Sequence, residues 1–117
     1  MDFLSKFFGP PLPSITPQAL SEKLKDAKRP LVLDVREPEE YREGHIAGAK
    51  LMPLGELLGK MKSLPKDKEI VCVCASGSRS HSASKMLLNE GYNVINMSGG
   101  MFTWQRARLP VKKGSAA

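Results

Sequence analysis

The stretch I-V-C-V-C-A-S-G-S-R-S-H (70–81) decides how the chain is read. Ile70, Val71 and Val73 are β-branched and enclose a small Cys72, so the run predicts a buried strand. It breaks after Cys74 into Ala75-Ser76-Gly77-Ser78, which is small, polar and turn-forming. From Ser80 the pattern turns helical, with Ala83, Met86 and Leu87 at i, i+3 and i+4. A cysteine therefore ends a buried strand, and a short loop, an arginine and the first turn of a helix follow it. Such a setting suits a nucleophilic thiol.

Strand and helix patterns alternate on both sides of this stretch. Upstream, Thr16-Pro17 predicts a helix start, with Thr16 as cap and Pro17 in the first turn. Leu20, Leu24 and Ala27 then give a buried stripe to about residue 28. Leu31-Val32-Leu33-Asp34-Val35 is apolar on both faces, the mark of a central parallel strand, with Asp34 near its C-terminal end. A short helix with acidic residues in its first turn follows, then a brief strand near Lys50 and a helix carrying Leu54, Leu57, Leu58 and Met61. Downstream, Gly91 caps the helix, residues 92–97 form a last strand, and residues 101–108 a short helix with Trp104. The expected fold is α/β, with a mainly parallel sheet of about five strands flanked by helices.

With 117 residues, the chain has room for one compact domain and little more. Residues 14–111 carry the alternating pattern, after an N-terminal extension (1–13) and before a solvated, flexible tail (112–117). In the extension, Phe3, Phe7 and Phe8 with Leu4 share one face of a short helix, and Pro10-Pro11-Leu12-Pro13 stiffens the connection. That face either packs on its own domain or a second copy, or touches a membrane surface or protein partner. It lacks the long apolar core and cleavage site of a signal peptide.

Hydrophobic residues at 41% and charged ones at 26% exclude wholesale disorder, and no apolar run approaches the ~18 residues of a membrane span. The net charge of +6 is spread over lysine-rich helix faces, where it solvates the surface or steers small anions. No nucleic-acid motif accompanies it. The only cysteines, Cys72 and Cys74, give neither a disulfide framework nor a zinc-finger spacing, so no metal or other cofactor is expected. A working free thiol belongs in a reducing compartment, here the cytoplasm.

A cysteine reacts as thiolate, and a free one titrates at about 8.5. Three features should lower that value. The helix begun at Ser80 turns its positive end toward the loop. Arg79 brings a permanent charge. Gly77 allows the positive φ that gathers successive N–H groups into an anion-binding nest. Cys72, inside the strand, is expected to pack in the core. His45 is expected to clamp its own turn by a backbone hydrogen bond, and Trp104 to pack in the core or at the rim.

Together L-V-L-D-V-R-E-P-E-E-Y (31–41), G-H-I-A-G-A (44–49), C-A-S-G-S-R-S (74–80) and G-Y-N-V-I-N-M-S-G-G-M-F-T-W (91–104) resemble the single-domain rhodanese sulfurtransferases in order and spacing. The resemblance implies the rhodanese fold. It implies Cys74 as a nucleophile that takes sulfane sulfur from a small anionic donor such as thiosulfate, forms a persulfide and passes the sulfur to a thiol or protein acceptor. It makes Ala75, Ser76, Gly77, Ser78 and Arg79 the substrate-binding loop, and Asp34, Arg36 and Ser80 its supports. Related cysteine-dependent phosphatases place five residues between Cys and Arg, whereas Cys74 and Arg79 enclose four. Such a phosphatase or arsenate reductase is therefore a weaker alternative, as is a non-catalytic binding or relay module. Ala75 stands where many thiosulfate-using members carry a basic residue.

Overall fold

Strands that are apolar on both faces must be covered on both, and the chain meets this need with a helix layer on each side of one sheet. In a computed structural model, residues 11–117 are described, so Phe3, Phe7 and Phe8 lie outside the described residues. The strands are β1 (Ser14–Ile15), β2 (Leu31–Asp34), β3 (Lys50–Leu51), β4 (Ile70–Val73) and β5 (Val94–Met97). They form a five-stranded, all-parallel sheet in the order β1-β5-β4-β2-β3, which places β4 at its centre. The helices are α1 (Pro17–Lys23), α2 (Pro38–Glu43), α3 (Leu54–Lys60), α4 (Ser78–Asn89) and α5 (Gly100–Arg106), with a 3-10 turn, Met61–Ser63, extending α3.

Alternation along the central strands sorts the core into two layers. Leu33, Val35, Ile70, Cys72 and Cys74 face Leu57 of α3 and Ala83 and Leu87 of α4. Val32, Val71 and Val73 face Leu20 of α1, Tyr41 of α2 and Trp104 of α5. The α/β class and the flanked parallel sheet expected from the sequence are thus the observed fold.

Strand β5 begins at Val94 rather than residue 92 and α5 ends at Arg106 rather than residue 108, and two further boundaries differ from the sequence reading. Helix α1 ends at Lys23 rather than near residue 28, and Ala27 is exposed. The amides of Lys25 and Asp26 bond carbonyls only three residues back, and residues 25–29 have no large apolar side chain to hold another turn on the core. Helix α4 starts at Ser78, not Ser80, because Gly77 at φ 102° serves as its left-handed N-cap. Its other end follows expectation: Gly91 has φ 88°, and the amides of Gly91 and Tyr92 bond the carbonyls of Leu88 and Leu87, closing a Schellman motif. The C-terminal segment is exposed but anchored at its root. Lys112 and His45 exchange backbone hydrogen bonds, and the Trp104 indole N–H donates to the Pro110 carbonyl. No helix among the described residues is long and apolar enough to cross a membrane.

A buried ion pair fixes the end of β2. The Arg36 guanidinium donates through Nε and Nη2 to the two Asp34 carboxylate oxygens at 2.9 and 2.8 Å, and through Nη2 to the Gly44 carbonyl at 2.9 Å. Both side chains are almost fully enclosed. Removing one partner leaves an uncompensated buried charge. Asp34→Ala should therefore lose about 3–5 kcal/mol of stability in urea denaturation. A loss below about 1 kcal/mol would show that Arg36 finds water or another acceptor.

Candidate active site

Strand β4 delivers Cys74 to the C-terminal edge of the sheet, where open parallel sheets place their sites. The chain then turns through Ala75-Ser76-Gly77 into α4. The Gly77 N–H donates to Cys74 Sγ at 3.1 Å. Burial pushes the thiol pKa up, since Cys74 exposes no surface. The donors nearest the sulfur, the Ser80 hydroxyl and the amides of Ser80, Gly77 and Ser76, outweigh it, and the net shift is below the ordinary cysteine value. Of these only the Gly77 amide makes a well-formed hydrogen bond to the sulfur; the Ser80 hydroxyl is enclosed with no formed hydrogen bond, so it is a donor free to turn to a thiolate. Cys72, two residues earlier on the same face, has only burial as its main influence and is pushed up to about 12. One environment favours a thiolate, and the other keeps a thiol in the core.

The opposite side of the loop is held from α5. The amides of Met101 and Phe102 donate to the carbonyls of Cys74 and Ala75 at 2.8 and 2.9 Å. Gly100 makes this approach feasible. Its φ is 61°, and a Cβ there would collide with the backbone of Cys74 and Ala75. Gly77 also approaches the Gly99 amide, though less tightly, and its carbonyl accepts weakly from Asn96 Nδ2 at 3.4 Å. The glycine pair 99–100, which a simple turn would explain, is therefore a seat for the cysteine loop. In the sequence the pair is explained by a turn and could equally border the pocket; the contact that decides joins segments some 25 residues apart. The pair itself, next to a helix start, was the available signal.

Arg79 lies in the first turn of α4, but its charge is already engaged. It grips Glu40 of α2 in a two-pronged pair, with Nη1–Oε1 at 2.7 Å and Nη2–Oε2 at 2.8 Å. The Arg79 guanidinium, aided by the Glu37 amide, holds the Glu40 carboxyl at about 2 against a partial burial that opposes it. The pKa of Arg79 is raised in turn, chiefly by Glu40. A lowered carboxylate pKa means that the pair contributes above pH 4.5 and is lost as pH falls toward 2. With side chains 36% and 35% exposed, it is a modest clamp between α2 and α4 rather than a large source of stability. The thiol is activated by N–H and hydroxyl donors, with the arginine acting as a strut.

Arg36 and Asp34 bond each other and the residue-44 turn, and Arg36 reaches a shallow depression of about 250 Å³ bordered by Ala75. His45 is buried, stacks on Tyr41 at 3.6 Å, and its Nδ1 lies 2.8 Å from the Tyr41 carbonyl, as a local clamp would. His81 is exposed on α4, and Trp104 is core.

An all-parallel five-stranded sheet with a cysteine loop seated between two helix starts defines a rhodanese-type domain. Comparison with known sequences agrees: residues 16–107 match the Rhodanese-like domain family, and the chain belongs to it. A sulfurtransferase of Allochromatium vinosum is 37% identical over 98 residues, which cover 83% of this chain and 92% of that protein. A thiosulfate sulfurtransferase of Pseudoalteromonas translucida is 30% identical over 86 residues, covering 73% and 82%. The crystal structure of a rhodanese-related protein from Thermoplasma volcanium superposes with a TM-score of 0.81 at 38% identity, covering 86% of this chain and 97% of that one.

Two outcomes follow from this geometry. Iodoacetamide at pH 8 should label Cys74 in the native protein and leave Cys72 unmodified until the chain is unfolded, as read by peptide mapping. Equal labelling of Cys72 would contradict the difference in environment. Gly100→Ala should cost about 1–3 kcal/mol in thermal or urea unfolding and slow Cys74 labelling, because the backbone contact must open. Unchanged stability and labelling would remove Gly100 from the site.

Proposed function

We propose that the protein is a sulfurtransferase that carries sulfane sulfur as a persulfide on Cys74. The observation that carries this reading is the Cys74 sulfur itself, at the end of β4, receiving the Gly77 N–H with the Ser76 and Ser80 donors around it. Family membership and relatives named as sulfurtransferases support the same chemistry.

The reaction has two half-steps. The Cys74 thiolate attacks the outer sulfur of an anionic donor such as thiosulfate. A new S–S bond forms to Sγ, the old one breaks, and sulfite leaves with the bonding pair. The outer persulfide sulfur now carries the negative charge, which the loop N–H groups of residues 75–79 would hold. A thiolate acceptor then attacks that sulfur, and Cys74 leaves as thiolate. No separate general base is required, since the nucleophile starts ionised. The sulfur is enclosed at rest, so substrate entry needs the loop to yield locally. Arg79 and Asp34 serve by fixing the loop's supports, and a reducing cytoplasm would keep Cys74 free between turnovers.

Incubation with thiosulfate should add one sulfur atom to the intact mass. Cys74→Ser should abolish the adduct, and Cys72→Ser should retain it. A sulfur adduct that survives Cys74→Ser and vanishes with Cys72→Ser would reverse the assignment.

A further inference from the structure

The depression beside Ala75 is the approach to the cysteine loop, and its chemistry differs from that of the chain as a whole. The protein carries +6, yet the cations at this mouth are already engaged. Arg36 holds Asp34 and the Gly44 carbonyl, and Arg79 holds Glu40. Glu43 also borders the depression, is exposed, and adds a carboxylate that neither of these arginines takes. Beside it stands Phe102, a large apolar side chain with 64% of its surface in water. The Phe102 amide is tied to the Ala75 carbonyl, so the backbone that carries the ring is fixed relative to the loop. The Arg106 guanidinium lies 5.6 Å from the ring centroid, a cation–π contact on the ring face.

A small residue at the mouth, an aromatic wall and an uncancelled carboxylate suit an organic thiol better than a small dianion. We propose that Glu43 and Phe102 determine acceptor specificity, favouring thiols with an apolar body and a neutral or cationic group over anionic thiols. This rests on the persulfide reading above. The step balances without a further reactant. The acceptor thiolate R–S⁻ attacks the outer sulfur of Cys74–S–S⁻ and forms R–S–S⁻. The S–S bond between Sγ and the outer sulfur breaks, its electron pair stays on Sγ, and the negative charge of the outer sulfur leaves with it.

The test uses full-length protein loaded with persulfide, followed by mass spectrometry as sulfur leaves. Cysteamine, 2-mercaptoethanol and mercaptoacetate serve as cationic, neutral and anionic acceptors, with rates corrected for thiolate fraction. Benzyl mercaptan reports on the aromatic wall. The expected order is cysteamine, then 2-mercaptoethanol, then mercaptoacetate, with each step a factor of roughly two to five and smaller in high salt. Glu43→Gln should pull the cysteamine-to-mercaptoacetate ratio toward one. Phe102→Ala should slow benzyl mercaptan relative to 2-mercaptoethanol. Equal rates for cationic and anionic thiols, or ratios that ignore both substitutions, would overturn the proposal while leaving the persulfide reading intact. A protein that never loads sulfur on Cys74 fails at the earlier step and refutes the reading on which the proposal depends.

Discussion

The carbonyls of Cys74 and Ala75 are bonded by amides from the first turn of α5, and everything else in the site depends on that contact. With the carbonyls held on one side, the loop's own N–H groups are free to turn to the other, toward the sulfur. The contact needs backbone to meet backbone, so it needs Gly100 without a side chain and Gly77 at positive φ. Two helices thereby contribute in opposite senses. Helix α5 anchors the loop's oxygens, and α4 supplies donors to its sulfur. A thiol at the end of a buried strand would otherwise be pushed up in pKa, as Cys72 is.

The same economy governs the charges. Three arginine contacts near the site go to protein carboxylates or a carbonyl rather than to open solvent. Asp34–Arg36 is enclosed and shapes the turn at residue 44, whereas Glu40–Arg79 is half-exposed and ties α2 to α4. The arginines near the mouth are thus spent on protein partners, which leaves Glu43 as a carboxylate there that neither of them takes.

Much of this was legible in the sequence because the informative patterns are local. The β-branched run ending at Cys74, the small residues after it and the helical stripe from Ala83 place Cys74 and its loop directly. The sheet follows from strands apolar on both faces. What escaped was contact between distant segments. Arg79 reads as a charge beside the thiol until Glu40, 39 positions away, is seen to hold it. Gly100 reads as part of a turn until it is seen against Ala75. The early end of α1 also depended on tertiary context, since residues 25–29 are compatible with a helix but find nothing to bury.

The central claim is that neutral donors, above all those of Ser80 and Gly77, lower the pKa of a buried Cys74. Ultraviolet thiolate absorbance, titrated in a Cys72→Ser background, measures it directly. The midpoint should lie below the value of about 8.5 for a free cysteine and rise when Ser80→Ala is added. A midpoint at or above that value, or one indifferent to Ser80, would mean that burial prevails and that the loop does not activate its thiol.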